Sequence, residues 1–269
     1  MDKQLNAFRR LLEIMDELRV KCPWDQKQTL QSLRLLSVEE VYELSDAIIA
    51  NKPGEIKKEL GDILLHIVFY AKIASETGLF DIADVIDELC KKLIFRHPHV
   101  FGEVLAENEE VVKTNWEALK LKEGNKSVLG GVPTSLPAML KAYRIQDKAR
   151  SAGFDWEKRE DVWVKVREEL TELEAEMADT PTERMEEEFG DYFFALINAA
   201  RLYKIDPEAA LEKCNLKFIR RFNWMEKEVN ASGRSLSQMT LREMDEIWDE
   251  CKRLEKSGQQ SEPQQSEPQ

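Results

Sequence analysis

Two sets of acidic side chains with the same internal spacing are the residues of this sequence best suited to chemistry. The first set comprises Glu40, Glu43, Glu59 and Asp62, and the second comprises Glu169, Glu172, Glu188 and Asp191. Each member of the second set follows its counterpart by 129 positions, so the two sets are in register. A duplication in register indicates that the chain carries two copies of one unit.

The spacing within each set predicts a cluster of carboxylates. Residues three apart lie on one face of a helix, so a helix bearing Glu40 and Glu43 can meet a second helix bearing Glu59 and Asp62. Two unit charges about 4 Å apart repel by roughly 4 kcal/mol at an effective dielectric constant near 20, and a divalent cation relieves that repulsion. A ligand set of oxygens without histidine or cysteine favours Mg²⁺, with Mn²⁺ as the alternative.

Three other interpretations apply to one acidic set taken alone. In a chain with 34% charged residues, a glutamate-rich helix face is commonly just solvated. The spacing Ser37-x-x-Glu40 is that of a capping box, but the counterpart of Ser37 is Val166, which cannot cap a helix. A ferritin-like di-iron site requires Glu-x-x-His on two helices, and the counterpart of His66 is Ala195. The duplication therefore favours the metal site over all three.

Basic and aromatic residues near the end of the second copy suit a nucleotide. Lys217 and Arg221 lie four apart and place two cations on one helix face, an arrangement suited to phosphate oxygens. Trp248 and Lys252 add an aromatic plane and a cation one turn away, although a tryptophan at helical spacing is more often part of a core. Beside a carboxylate cluster, these residues predict a pocket for a metal-bound nucleotide.

The two copies differ in the cations next to their acids. Lys165 and Arg184 each lie one turn before a member of the second acidic set, whereas the corresponding positions of the first copy are Leu36 and Glu55. A triphosphate carries more negative charge than its bound cations neutralise, so additional basic side chains assist its reaction. We therefore expect the second copy to be the better catalyst.

The elements that must position these residues are predicted to be helices. Between 54 and 76, apolar residues recur at spacings of three and four, and alternating strand patterns are absent from the sequence. Asp206-Pro207 and Thr240-x-x-Glu243 mark two helix starts. We therefore predict an all-α protein with helices near 2–19, 30–50, 54–76, 81–96, 106–122, 137–151, 158–178, 182–203, 207–230 and 240–256.

These helices divide into two tandem modules of helical-bundle type, predicted at 1–122 and 137–256. The segment 123–136 concentrates glycine, proline and serine and is the predicted linker. The final residues repeat Gln-Ser-Glu-Pro-Gln, so a disordered tail is predicted at 257–269.

Composition excludes several classes of protein. With 52 acidic and 39 basic residues, the net charge of −13 disfavours binding to DNA or RNA. The sequence has no apolar run long enough for a membrane span and no signal-peptide pattern, so we expect a cytoplasmic protein. Its four cysteines lie far apart and are expected to be reduced, mostly packing residues. The absence of a Gly-x-x-x-x-Gly-Lys loop argues against a P-loop NTPase.

Together with the acidic pairs, four further motifs resemble those of the two-module MazG nucleoside triphosphate pyrophosphohydrolases. These motifs are Cys22-Pro-Trp-Asp25, Arg96-His-Pro-His-Val-Phe101, Gly153-Phe-Asp-Trp156 and Lys217-Phe-Ile-Arg-Arg221. The likeness runs over about residues 5–256. Each motif is weak alone, but the ordered set is highly specific.

The resemblance implies an all-α homodimer that uses Mg²⁺ to hydrolyse nucleoside triphosphates to the monophosphate and pyrophosphate. It implies that the C-terminal module is the competent one, with metal ligands at Glu169, Glu172, Glu188 and Asp191 and nucleotide contacts at Lys165, Lys217, Arg221 and Trp248. From spacing alone, Arg184 and Lys252 join the nucleotide contacts, and Glu40, Glu43, Glu59 and Asp62 form the weaker metal site. Either Glu168 or Glu172 is expected to accept a proton from the attacking water.

Two functions without catalysis stay open at this point. The chain can be a nucleotide-sensing binding module, or a helical scaffold whose acidic stripes bind a basic partner. Release of pyrophosphate from triphosphates in the presence of Mg²⁺ distinguishes the enzyme from both.

Overall fold

The structure is a computed structural model that describes residues 1–102, 127–177 and 180–257. Within these ranges the chain forms ten α-helices and no strand, which confirms the all-α prediction. The predicted helix at 106–122, the first part of the predicted linker and all but the first residue of the predicted tail lie outside the described residues.

The chain divides into two compact units, Met1–Gly131 and Val132–Gln269. The sequence-based module limits at 1–122 and 137–256 stay a prediction. No helix in the described parts of the chain is both long and apolar enough to cross a membrane.

The first unit contains five described helices packed around a small apolar core. They are α1 (Asp2–Lys21), α2 (Leu30–Ile49), α3 (Pro53–Ser75), α4 (Ile82–Arg96) and α5 (Pro98–Phe101). Met15 of α1, Leu33 of α2 and the pair Val68 and Phe69 of α3 form the buried centre of this core. The pairing of α2 with α3 is the most extensive in the unit, and it places the first acidic set on two adjoining helices.

The start of α2 corrects the interpretation of Ser37 as a helix cap. Thr29 is the N-cap: its hydroxyl accepts the Ser32 N–H at 3.1 Å, and the Ser32 hydroxyl accepts the Thr29 N–H at 2.9 Å. Ser37 lies in the middle of the helix, where its hydroxyl donates to the Leu33 carbonyl at 3.0 Å. The predicted Ser37-x-x-Glu40 capping box is therefore wrong, and Glu40 has no capping role that competes with metal binding.

The second unit also contains five described helices. They are α6 (Ala138–Ser151), α7 (Val162–Ala175), α8 (Glu183–Leu202), α9 (Pro207–Ala231) and α10 (Leu241–Lys256). Val162 and Val166 of α7 pack against Ala195 and Ala199 of α8, and this small-residue contact lets the two helices approach closely. The α7–α8 hairpin therefore positions the second acidic set as α2 and α3 position the first.

Helix starts in the second unit follow local capping chemistry. The Asp206 carboxylate accepts the Ala209 N–H at 3.1 Å before α9. The predicted Thr240–Glu243 capping box is confirmed at α10, and Arg234 together with Thr240 lowers the pKa of Glu243 to about 2. Helix α7 is shorter than the predicted 158–178, because a 3₁₀ turn at Arg159–Asp161 precedes it and the α-helix ends at Ala175.

The cysteines differ more in exposure than the sequence predicts. All four are free thiols, but only Cys251 is buried and Cys22 is half-buried. Cys90 and Cys214 are exposed, so the expectation that most cysteines are packing residues does not hold within the described structure.

Candidate active site

Three carboxylates of the second unit converge where α7 meets α8. One oxygen each from Glu169, Glu172 and Glu188 lies within 4.8 Å of the others. Glu169 is buried, Glu188 is half-buried and Glu172 is exposed, so the cluster has one side toward the protein and one toward solvent. Such a graded arrangement can hold a cation while leaving it accessible to a ligand.

The first unit repeats this arrangement at the corresponding positions. Oxygens of Glu40, Glu43 and Glu59 lie within 4.8 Å of one another, with Glu59 only 3% exposed. Both triads consist of glutamate alone, and neither includes the nearby His66, so the described structure gives no support to a di-iron site of the Glu-x-x-His type.

The fourth acid of each set lies just outside the triad. The Asp62 carboxylate is close enough to raise the pKa of Glu40, and the Asp191 carboxylate is close enough to raise that of Glu188. The structure thus brings together three members of each predicted set and places the fourth beside them.

An unpartnered oxygen at the same position of both triads fits a bound cation. Oε2 of Glu59 and Oε2 of Glu188 are buried without a hydrogen-bond partner. A buried carboxylate oxygen without a donor is costly, so its recurrence at duplicated positions requires an explanation. Hard oxygen donors of this kind suit a divalent cation such as Mg²⁺ or Mn²⁺.

In each triad, the clustered carboxylates help to raise the pKa of one glutamate. Partial burial raises the pKa of Glu188 above its ordinary value, and the neighbouring carboxylates of Glu172, Asp191 and Glu169 raise it further. Partial burial also raises the pKa of Glu40, with the same kind of help from Asp62 and Glu43. Each cluster therefore favours either a proton or a metal cation.

A lysine lies beside each triad, but on a different helix in each unit. In the second unit, the Lys165 ammonium of α7 contacts Glu168 and Glu169 at 2.7 Å each, and these bonds raise the lysine's pKa. In the first unit, Lys58 of α3 contacts Glu59 at 3.1 Å. Sequence reasoning missed Lys58 because its counterpart is Glu187, so the lysine is not part of the repeat.

Two other predicted residues make contacts at the edge of the second triad. Arg184 is largely exposed and pairs with Glu176 at 3.0 Å, and Glu176 is itself close enough to act on the pKa of Glu188. Glu168 lies outside the triad and is held by Lys165. Their assigned roles in binding and proton transfer stay predictions.

Two of the four predicted nucleotide contacts at the end of the second unit, Arg221 and Trp248, lie together in a separate cluster. The Trp248 ring lies 5.1 Å from the Phe218 ring, and the Arg221 guanidinium lies 6.0 Å from the Trp248 ring centre. Lys252 pairs with Asp249 at 2.8 Å, and exposed Lys217 has no ion pair with any described residue. We call Phe218, Arg221, Trp248 and Glu255, which binds Arg221, the α9–α10 cluster.

Sequence reasoning missed Glu255. Its carboxylate accepts hydrogen bonds from Arg221 at 2.6 and 2.9 Å. It lies seven residues after Trp248, which is two helical turns, so the shared face was available as a signal. Among the residues that the structure describes, no hydrogen bond, ion pair or ring contact joins the α9–α10 cluster to the glutamate triad of α7 and α8.

Comparison with known proteins identifies related sequences over nearly the whole chain. A family model for the MazG nucleotide pyrophosphohydrolase domain matches twice, at residues 28–101 and 159–225. A Thermotoga maritima protein named nucleoside triphosphate pyrophosphohydrolase/pyrophosphatase MazG is 43% identical over 250 residues, which cover 91% of this chain and 95% of that protein. An Escherichia coli K12 nucleoside triphosphate pyrophosphohydrolase is 41% identical over 260 residues, which cover 93% of this chain and 99% of that protein.

Replacement of Glu188 by glutamine tests the interpretation of the second triad as a metal site. Because the folded-state pKa of Glu188 is raised, its contribution to stability is present at low pH and is lost as pH rises above about 4, where carboxylates ionise. We expect metal-free Glu188→Gln to melt higher than the unmodified protein at neutral pH. We also expect the variant to lose most of the melting-temperature increase that Mg²⁺ produces.

Differential scanning fluorimetry in EDTA and in MgCl₂, from acidic to neutral pH, measures both effects. Glu187→Gln removes an exposed neighbouring charge outside the triad and serves as the matched control. A full Mg²⁺ response in Glu188→Gln would contradict the assignment.

Proposed function

The chain belongs to the MazG nucleotide pyrophosphohydrolase family, and from that premise we propose that it is a Mg²⁺-dependent nucleoside triphosphate pyrophosphohydrolase. It hydrolyses ribo- and deoxyribonucleoside triphosphates to the monophosphate and pyrophosphate. The observation that carries the proposal is the buried, unpartnered glutamate oxygen at the same position of two duplicated triads. The net charge of −13 supports free nucleotides rather than DNA or RNA as the ligand.

In the second unit, Glu169, Glu172 and Glu188 would hold the metal, with Asp191 beside them as the fourth ligand. A bound divalent cation supplies Lewis acidity, which lowers the pKa of a coordinated water and screens the charge of the phosphates. Mg²⁺ fits the all-oxygen donors best, and Mn²⁺ fits the same set. The first-unit triad, with Asp62 beside it, would form a second, weaker metal site.

The chain's own residues bind the triphosphate and move a proton. Lys165, Arg184, Lys217, Arg221 and Lys252 supply positive charge to the phosphates, and Trp248 offers a plane against the base. The oxygen of water forms a bond to the α-phosphorus as the bond between this phosphorus and the bridging oxygen to the β-phosphate breaks. Pyrophosphate leaves, and a carboxylate, Glu172 or Glu168, takes the proton of the water.

The structure favours Glu172 over Glu168 as proton acceptor. Glu172 belongs to the triad and is exposed on the side open to solvent. The carboxylate of Glu168 is held by the Lys165 ammonium at 2.7 Å, which occupies one of its oxygens. Glu168 is better placed to hold Lys165 than to accept a proton.

We further propose that the protein is a homodimer, because several of the described helices carry stripes of apolar side chains that stay exposed to solvent. No residue of α4 is buried, although Ile86, Leu89 and Leu93 follow one face at spacings of three and four. Four other helices also carry exposed apolar residues at these spacings: Leu35, Val38 and Tyr42 on α2; Leu60, Leu64 and Ile67 on α3; Phe189 and Phe193 on α8; and Phe218 and Phe222 on α9. Apolar faces of this extent are typical of surfaces covered by a second subunit, and the common solution is a symmetric dimer.

The second unit is proposed to be the main catalyst. Lys165 bridges Glu168 and the triad member Glu169, whereas the corresponding residue of the first unit is Leu36. Lys58 supplies a cation in the first unit, but from the other helix of the hairpin and from an exposed position. The two sites therefore differ in which helix of the hairpin carries the lysine, as well as in the number of basic residues near the triad.

Hydrolysis in water enriched in heavy oxygen tests the reaction. Attack at the α-phosphorus places the label in the monophosphate and leaves pyrophosphate unlabelled, which mass spectrometry of the products detects. Label in pyrophosphate would refute attack at that position. Nucleotide-dependent thermal stabilisation without pyrophosphate release would favour the sensing module, and neither binding nor release would favour the acidic scaffold.

Sedimentation equilibrium tests the dimer. We expect a mass twice the 31.3 kDa of one chain. The double variant Leu89→Glu, Leu93→Glu places two charges on the α4 stripe and should shift the protein to the mass of a single chain. Lys91→Glu, on the opposite face of the same helix, should leave the dimer intact; monomers in the unmodified protein would contradict the proposal.

Matched substitutions in the two triads test which unit is the main catalyst. Removing a residue that only supports a metal ligand lowers activity about 10–100-fold. Because Glu172→Gln removes a proposed ligand itself, we expect it to lower turnover at least about 100-fold. Glu43→Gln changes the corresponding residue of the first unit and should leave most of the turnover. Steady-state pyrophosphate release measures both, and equal losses would overturn the assignment.

A further inference from the structure

One carboxylate at the end of α10 binds two neighbouring arginines of α9. Oε1 of Glu255 accepts hydrogen bonds from Nε and Nη2 of Arg220 at 3.1 and 2.6 Å. Oε2 accepts the corresponding bonds from Nε and Nη2 of Arg221 at 2.9 and 2.6 Å. Both Arg221 and Glu255 are largely buried, with side chains 19% and 15% exposed, whereas Arg220 is exposed.

The geometry of these bonds leaves the outer edge of Arg221 available. A guanidinium has five N–H donors, and Glu255 uses the one on Nε and one on Nη2. The two donors of Nη1 and the second donor of Nη2 point away from the carboxylate, and they form the fork that binds two phosphate oxygens. Glu255 can therefore bind one edge of the Arg221 guanidinium while the other edge binds a ligand.

The charge balance of the group also suits an anionic ligand. A single carboxylate beside Arg221 would cancel its charge and weaken its attraction for phosphate. Because Arg220 shares the same carboxylate, two guanidinium cations and one carboxylate anion give the three side chains a net charge of about +1. Glu255 thus fixes the arginine without making the group neutral.

Orientation matters here because arginine is long and mobile. An unrestrained arginine loses rotamer entropy when it binds a ligand, and a side chain already fixed in place avoids much of that cost. In the described structure, Glu255 accepts two hydrogen bonds from the Arg221 guanidinium, and the ring of Trp248 lies 6.0 Å from it.

We propose that Glu255 is a positioning residue, which orients Arg221 beside Trp248 so that its free edge meets the phosphate chain of the nucleotide. The proposal rests on the proposed function, since that function supplies the triphosphate. Glu255 itself touches no reacting atom.

The primary test is binding of the α,β-methylene analogue of ATP in MgCl₂, measured by isothermal titration calorimetry on the full chain. The analogue has no oxygen bridge to break at the α-phosphorus, so binding is measured without turnover. Loss of one charge-assisted orienting contact should weaken binding of Glu255→Gln about tenfold. Binding by Glu255→Gln equal to that of the unmodified protein would overturn the proposal.

A matched control separates orientation from general damage to α10. Glu243→Gln removes another arginine–carboxylate pair, which joins α10 to Arg234 of the preceding loop at 2.7 Å. Glutamine preserves the capping box. Its nucleotide affinity should equal that of the unmodified protein. A loss in Glu243→Gln as large as in Glu255→Gln would assign both effects to structure and refute a specific role for Glu255.

A double-mutant cycle asks whether Glu255 acts through Arg221. In the Arg221→Gln background, Glu255→Gln should cause no further loss of affinity, whereas additive losses would contradict the proposal. If Glu255→Gln melts lower than the control, Glu255→Asp keeps the charge and should bind within about threefold of the unmodified protein. Unmodified protein that neither binds the analogue nor releases pyrophosphate from ATP would refute the proposed function itself, an outcome distinct from failure of the Glu255 variants.

Discussion

Repulsion between closely placed carboxylates is the constraint on which the rest of this structure depends. Glu169, Glu172 and Glu188 can lie together only because the α7–α8 hairpin holds them there, and the hairpin is held by the contact of Val162 and Val166 with small residues of α8. The apolar contact stabilises the helix pair, while partial burial and the neighbouring carboxylates raise the pKa of Glu188. A bound cation turns this unfavourable arrangement into a ligand site, so fold stability and metal affinity are set by the same few side chains.

Comparison of the two units shows which features of the carboxylate site are shared and which differ. Both units keep the triad and the unpartnered oxygen, at Glu59 and Glu188. Each also places a lysine against a buried glutamate, but from the second helix of the hairpin in the first unit and from the first helix in the second. A lysine can reach a carboxylate from several positions because its side chain is long, whereas the short distances of the triad require one particular pairing of helices.

The sequence predicted the features that depend on periodicity and repetition. The helix-forming segments, the Thr240–Glu243 cap and the convergence of the glutamates follow from spacings of three and four and from a constant offset between copies. It did not predict Thr29 as the cap of α2, although the predicted helix begins at 30, because the third residue after Thr29 is Ser32 and not the glutamate of the usual capping box, which Ser37 has in Glu40. It also did not predict Lys58 and Glu255, since their partners are chosen by side-chain reach, which leaves no repeated pattern in the sequence.

Local positive charge within an acidic chain is what the proposed function requires for a triphosphate to bind. The net charge of −13 disfavours a long polyanion, but screening limits the reach of each exposed charge to about 8–10 Å at moderate salt. Under the proposed function, the triphosphate would be bound through a cation at the glutamate triad and through the guanidinium of Arg221, so its charge would be met locally by groups of opposite sign. In the proposed role of Glu255, the carboxylate offsets part of the arginine charge and orients Arg221, so binding would depend on where the donors point as well as on the total charge.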